Sequence, residues 1–245
     1  MTESFSAELW QGITGIYAAI LDHPFLAGMT DGSLPAEAFT YYVIQDALYL
    51  RRYAQALAAV ATHAPDAAQT ELFARHAAGI VAVEMSLHDT LLADLDIDPG
   101  AVDATPEAPT TLAYNSYLLA NTQGGSYAEG VGTVLPCYWI YGEVGQHLLG
   151  TGSPNPRYQK WIDTYGGEEF DAEVRDVIAV TDALGPQLSA AERERVRGHF
   201  VATSRYEWMF WDMGYRQEGW GGFRAHPPSR LAPGLPLSYW DVGPR

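Results

Sequence analysis

Leu135-Pro136-Cys137-Tyr138-Trp139-Ile140-Tyr141-Gly142-Glu143 carries the single cysteine of the 245-residue chain and places a proline directly before it. The residues on either side read as helix. Pro136 has no backbone N–H and cannot stack on the preceding turn, so it either kinks a helix or opens one. If it opens one, the thiol lies in a first turn, where the helix dipole favours a thiolate. Tyr141 follows four residues on and shares the face of Cys137. The cysteine admits two readings. It is a small buried hydrophobe, as most free cysteines are, or a nucleophile whose partners come from elsewhere in the chain.

Working outward from this helix, the same periodicity recurs. Leu9, Ile13, Ile16, Tyr17 and Ile20 set a helix over about Phe5 to Leu21, ended by His23-Pro24. Thr30 to Pro35 reads as a turn, with Ser33 placed to cap the next helix. That helix, about Pro35 to His63, carries Tyr42, Asp46, Tyr49 and Tyr53 on one face. An ordinary core stripe would be Leu, Val and Ala; this one is aromatic, hydroxylated and holds a carboxylate, so Asp46 is paired or faces something other than open water. The alternative is a surface aspartate beside interfacial tyrosines. A third helix, about Asp66 to Leu95, presents Glu84 and His88 on one face. They lack the second Glu-x-x-His set of carboxylate di-iron bundles, and a hydrogen-bonded pair is the simpler reading. Asp96 to Pro109 reads as a polar connection within one domain. A fourth helix spans about Thr110 to Thr122, Gln123-Gly124-Gly125 ends it and Ser126 caps the helix containing Cys137. Asn155 caps a short helix to Tyr165, Glu168 to Leu184 is helical with acids at its start, and Ser189 with Glu192 forms a capping box for a last helix to about Tyr215. No alternation of strand period competes, and no internal repeat occurs. The expectation is an all-α domain over 1–220 with about seven or eight helices. An extended Pro/Gly-rich aromatic tail, 221–245, would pack on its own or a neighbouring subunit.

Composition narrows the function. A hydrophobic share of 47% with 18% charged residues is that of an ordered globular chain. The net charge of −16 argues against a nucleic-acid backbone binder. One cysteine excludes an intrachain disulfide framework and any multi-cysteine zinc site. Met1 to Phe5 shows no signal-peptide pattern, and no run of about 18 apolar residues marks a membrane span. A cytoplasmic protein is expected.

The second conspicuous carboxylate is Glu207, in Ser204-Arg205-Tyr206-Glu207-Trp208-Met209-Phe210-Trp211-Asp212. A carboxylate among four aromatic residues is partly desolvated, which raises its pKa and suits acid/base work. The bland alternative is a surface glutamate with Arg205 beside it. A thiol, such a carboxylate and several tyrosines suit nucleophilic chemistry on a flat aromatic heterocycle. No histidine is placed as a cysteine partner, which weakens a papain-type reading.

Five segments together resemble the TenA family: Asp46-Ala47-Leu48-Tyr49-Leu50, Ala113-Tyr114-Asn115-Ser116-Tyr117, Leu135 to Tyr141, Trp161-Ile162-Asp163-Thr164-Tyr165 and Ser204 to Trp211. The resemblance covers about residues 5 to 220 and is to the branch with a mid-chain nucleophilic cysteine. It implies a haem-oxygenase-like helical fold and thiaminase II, or aminopyrimidine aminohydrolase, activity in thiamin salvage. It further implies Cys137 as nucleophile, Glu207 as proton donor and acceptor, and Asp46 holding the 4-amino group and adjacent ring nitrogen. Tyr49, Tyr114, Tyr141 and Tyr165 would surround the ring. It implies no metal or organic cofactor, a small pyrimidine as the partner molecule, neither nucleic acid nor membrane, and a homo-oligomer, a tetramer. Two rivals stand beside it: a non-catalytic pyrimidine-binding regulatory protein, and a haem- or iron-dependent oxidase with His23 as a ligand.

Overall fold

The computed structural model describes the backbone of residues 4–94 and 99–221, and the side chains of these except 82–94, 99 and 101. Eleven α-helices and one 3-10 turn, Gly185–Gln187, make up the regular structure of the described residues, without a strand. The division is finer than about seven or eight helices, and the extra breaks have local causes. The first expected helix is two, α1 (Phe5–Gln11) and α2 (Thr14–Leu21). Gly12 closes α1 on the carbonyls of Glu8 and Leu9, and the fully buried Ile13 leaves helical geometry at ψ 5°. Pro24 then opens α3 (Pro24–Asp31), with His23 as its cap. Gly32, at φ +80°, ends α3 in the left-handed region that glycine favours. Ser33 therefore does not cap the next helix. Its N–H donates to the Asp31 carboxylate, and α4 (Ala36–His63) starts after Pro35 without a side-chain cap.

The remaining helices follow the sequence signals more closely. Asp66 accepts the Gln69 N–H at the start of α5 (Ala67–Asp94). The polar connection after it contains a short α6 (Pro99–Ala104). Then come α7 (Pro109–Gly124), α8 (Tyr127–Leu149), α9 (Pro156–Tyr165), α10 (Glu168–Leu184) and α11 (Ala190–Arg216). Both α8 and α11 open on full capping boxes, Ser126 with Glu129 and Ser189 with Glu192. Asn155 caps α9 through the Arg157 N–H.

Pro136 lies inside α8 rather than at its start. Cys137 is thus far from the helix N-terminus, and the first-turn stabilisation of a thiolate does not reach it. α8 and α4 are the central pair. α4 packs on α5, α7 and α11, while α8 packs on α9, α10 and α11. Tyr53 on α4 ties the two together, donating at 2.8 Å to the Val134 carbonyl one turn before Cys137. A stack of Tyr42, Trp211 and Tyr141, with successive centroids 5.2 Å apart, joins α4, α11 and α8.

Glycines on α8 set how near its neighbours come. A Cβ on Gly132 would stand 2.6 Å from the Val196 side chain of α11, and one on Gly145 would stand 2.4 Å from the Tyr165 carbonyl carbon at the end of α9. The second contact is with backbone, which cannot swing away. Gly145→Ala is expected to destabilise the protein by about 1–3 kcal/mol and to displace Tyr165. An unchanged urea midpoint would refute this.

Of the tail expected over 221–245, residues 222–245 lie outside the described residues, as do Asp96 and Asp98 and the side chains of Glu84 and His88. Among the described residues no helix is long and apolar enough to cross a membrane.

Candidate active site

A cavity of about 330 Å³ opens between five helices. α4 contributes Asp46, Tyr49, Leu50 and Tyr53; α5 contributes Gly79 and Ile80; α8 contributes Cys137, Tyr138 and Tyr141. Thr164 and Tyr165 from the end of α9, with Glu169, Phe170 and Glu173 from α10, complete it. The helical spacing explains the convergence. Asp46, Tyr49 and Tyr53 lie on one stripe of α4, and Cys137 and Tyr141 are one turn apart on α8. Thr164 and Glu169 are exposed while Tyr49 and Asp46 are buried, so the cavity has a mouth at α9–α10 and a floor at α4–α8.

Cys137 is partly accessible although it lies between central helices, because its free surface faces this cavity. That separates the two readings of the thiol: it is not sealed in aliphatic packing. Burial pushes its pKa well above the usual thiol range, and the nearby Glu207 charge pushes the same way. The hydroxyls of Tyr49 and Tyr53 oppose that shift without cancelling it. The resting group is a neutral thiol.

Asp46 is 6% exposed, and burial raises its pKa to about 7. Glu207 is 1% exposed; burial and the Asp46 charge raise it to about 8, against a lowering by the Tyr114 hydrogen bond. Tyr114 Oη donates to Glu207 Oε1 at 2.5 Å. Arg205, the sequence neighbour that would make Glu207 a surface residue, is itself exposed and turned away from this buried carboxylate.

Of the residues expected at a site, Asp46, Tyr49, Cys137, Tyr141 and Tyr165 line the cavity. Tyr114 and Glu207 do not; they stand one layer behind. The Tyr114 ring lies 5.0 Å from that of Tyr49 and stacks at 9° on Tyr206. Tyr49 Oη is buried without a hydrogen-bond partner of ordinary geometry among the described residues. Tyr141 is fixed by its hydroxyl, 3.0 Å from that of Tyr42, and Tyr165 packs on Trp161 at 4.5 Å and Phe170 at 5.2 Å.

Sequence reasoning passed over Tyr138, Phe170, Glu169 and Glu173. Tyr53 was placed on the α4 stripe but given no role at the site. Glu169 and Glu173 carry no such signal, since on α10 they read as an ordinary solvated face. His23 sits away from the cavity. Its Nδ1 caps α3 by accepting the Phe25 N–H at 3.1 Å, and its Nε2 faces the Asp212 carboxylate at 3.7 Å. No cluster of three or more potential metal ligands occurs among the described residues.

This geometry has relatives. An aminopyrimidine aminohydrolase of Bacillus subtilis is 39% identical over 217 residues, which is 89% of this chain and 89% of that protein. The solved structure of a TenA homologue from P. horikoshii OT3 matches with a TM-score of 0.80 at 28% identity, covering 87% of this chain and 99% of that one. A domain from Shewanella denitrificans, described as of unknown function with a heme oxygenase-like fold, matches with a TM-score of 0.68 over 86% of this chain and 91% of that one. At 16% identity it bears on the fold alone, which is the haem-oxygenase-like one. The TENA/THI-4/PQQC family model matches residues 10–217, from the end of α1 to the cap of α11, and the chain belongs to that family.

Proposed function

We propose that the chain is an aminopyrimidine hydrolase of thiamin salvage. It replaces the group on the 5-methylene of a 4-amino-2-methylpyrimidine by hydroxyl, with ammonia departing from an aminomethyl substrate and the thiazole from thiamine. The observation that carries the reading is the lone thiol sharing one ring-walled cavity with Asp46, with a protonatable Glu207 directly behind it. The relatives named aminopyrimidine aminohydrolase support the same reaction.

In this reading Asp46 accepts from the 4-amino group and meets the neighbouring ring nitrogen, which orients the ring over Cys137. The tyrosines wall its faces, and the Tyr49 hydroxyl beside Cys137 can turn to it. Because the resting thiol is neutral, its proton moves as the C–S bond forms. Glu207 relays that proton to a ring nitrogen, and the ring C=N bond becomes C–N–H. The nitrogen lone pair then drives out the protonated amine, leaving an exocyclic methylene and free ammonia. Water adds at the methylene, its second proton returns through Glu207, the C–S bond breaks and aromaticity is restored. The sum is one water consumed and one ammonia released. A carboxylate with a pKa of about 8 both gives and takes protons near neutrality, which these steps require.

The wild-type protein is expected to release ammonia and the hydroxymethyl product stoichiometrically from 4-amino-5-aminomethyl-2-methylpyrimidine. Tight binding of that compound without turnover would replace the hydrolase by a pyrimidine-binding protein.

A further inference from the structure

The mouth of the cavity has a chemical character that the reaction at its floor does not use. Glu169 and Glu173 line it from one face of α10, one turn apart, with Phe170 and Thr164 beside them. Glu169 is exposed and Glu173 half-buried. Among the described residues lining the cavity there is no Lys, Arg or His, and the charged groups are Asp46, Glu169 and Glu173. Two bases stand nearby, and Arg75 offsets part of the rim charge, lowering the Glu173 pKa against the stronger raising effects. Arg75 is directed to Asp176, with 3.9 Å between them, and is 65% exposed. His76 Nδ1 is 3.0 Å from the Tyr138 hydroxyl, and burial, followed by the Arg75 charge, holds the ring below its ordinary pKa and so neutral. Burial and the Glu169 charge raise the Glu173 pKa, as expected for two carboxylates sharing one apolar rim. The floor of the same cavity holds the buried Tyr49 hydroxyl beside Cys137, so a pyrimidine held there would direct its 5-substituent toward the acids.

We propose that Glu169 and Glu173 are specificity-determining residues, which admit substrates whose departing group is cationic (a protonated amine or an N-alkylated azolium) and turn away phosphate esters. This rests on the aminopyrimidine reading above and names its substrate class. The cationic group of the bound substrate, before it departs as a neutral amine or azole, lies against two carboxylates in a partly desolvated rim, where attraction exceeds that in water. A phosphate in the same place meets like charge with no cation among the described lining residues to bind it, and the chain's net charge of −16 adds to that repulsion.

Thiamine and thiamine monophosphate test this, because they share the reacting centre and differ in a remote phosphate. The wild-type kcat/KM for thiamine is expected to exceed that for the monophosphate by about 100-fold or more. In Glu169→Gln/Glu173→Gln that ratio is expected to shrink on the order of tenfold, chiefly through KM, with added salt narrowing the wild-type ratio in the same direction. A ratio unchanged in the double variant, with both compounds still cleaved, overturns the selection and leaves the hydrolase reading standing. The same two ligands titrated onto Cys137→Ser, which lacks the nucleophile, read the discrimination without turnover. Failure of both ligands to bind or react, with 4-amino-5-aminomethyl-2-methylpyrimidine still hydrolysed, would overturn the selection alone; failure of that compound as well would overturn the hydrolase reading.

Discussion

Cys137→Ser is expected to lose on the order of 10³-fold or more in kcat for ammonia release, because the covalent step has no other thiol to supply it. A serine hydroxyl keeps nearly the shape of the side chain but is a far weaker nucleophile at neutral pH. The buried Asp46 and Glu207 are themselves largely or partly protonated and are poor bases for activating it. The fold is expected to survive, since the new hydroxyl faces the cavity beside Tyr49 and Tyr53 and does not sit in aliphatic packing. The measurements are single-turnover product formation and the urea midpoint. A folded variant keeping a tenth of the wild-type rate would remove the thiol from the mechanism.

Glu207→Gln is expected to move activity and stability in opposite directions. Activity should fall by about 10²–10⁴-fold, the usual weight of a positioned acid/base group. Stability should rise above that of wild type as the pH rises. Glu207 has a native pKa of about 8 against an ordinary 4.5. Between those values the native protein keeps a proton that the unfolded chain has lost, so the native state binds more protons and wild-type stability declines with increasing pH. Across that window the decline from this one group is on the order of 3–5 kcal/mol. Glutamine cannot ionise and still accepts the Tyr114 hydrogen bond, so its contribution is flat. The urea midpoint of the variant is expected to match wild type near pH 4.5 and to exceed it at pH 8. Asp46, raised from 3.8 to about 7, adds a decline of similar size over a slightly lower pH window in both proteins, so it cancels in the comparison. Equal pH slopes for the two proteins would contradict a buried, proton-holding Glu207.

Much of this site was legible before any coordinates, and the boundary of what was legible is physical. Capping boxes are local, so Ser126 with Glu129 and Ser189 with Glu192 could be read directly. The stripe of Tyr42, Asp46 and Tyr49 was readable because a helix repeats its face. Pro136 was ambiguous, since the choice between opening α8 and lying inside it is made by packing on α4, α10 and α11 rather than by nearby residues. Gly12 and Ile13 split the first helix because Ile13 has to reach the core, a tertiary demand with no local mark. The layering of Tyr114 and Glu207 behind Tyr49 was equally invisible: spacing tells which residues share a face, not how deep that face lies. Glu169 and Glu173 mark the limit, for a carboxylate at a cavity mouth and one on an open surface have the same sequence context.

The neutral, enclosed state of Cys137 has a consequence for the protein's durability. Peroxide and alkylating reagents attack the thiolate, and a sulfur that yields its proton only when a ring is present to receive it offers them little. If Cys137 is the nucleophile proposed above, that protection matters the more because the chain has no second cysteine to rescue it by disulfide exchange.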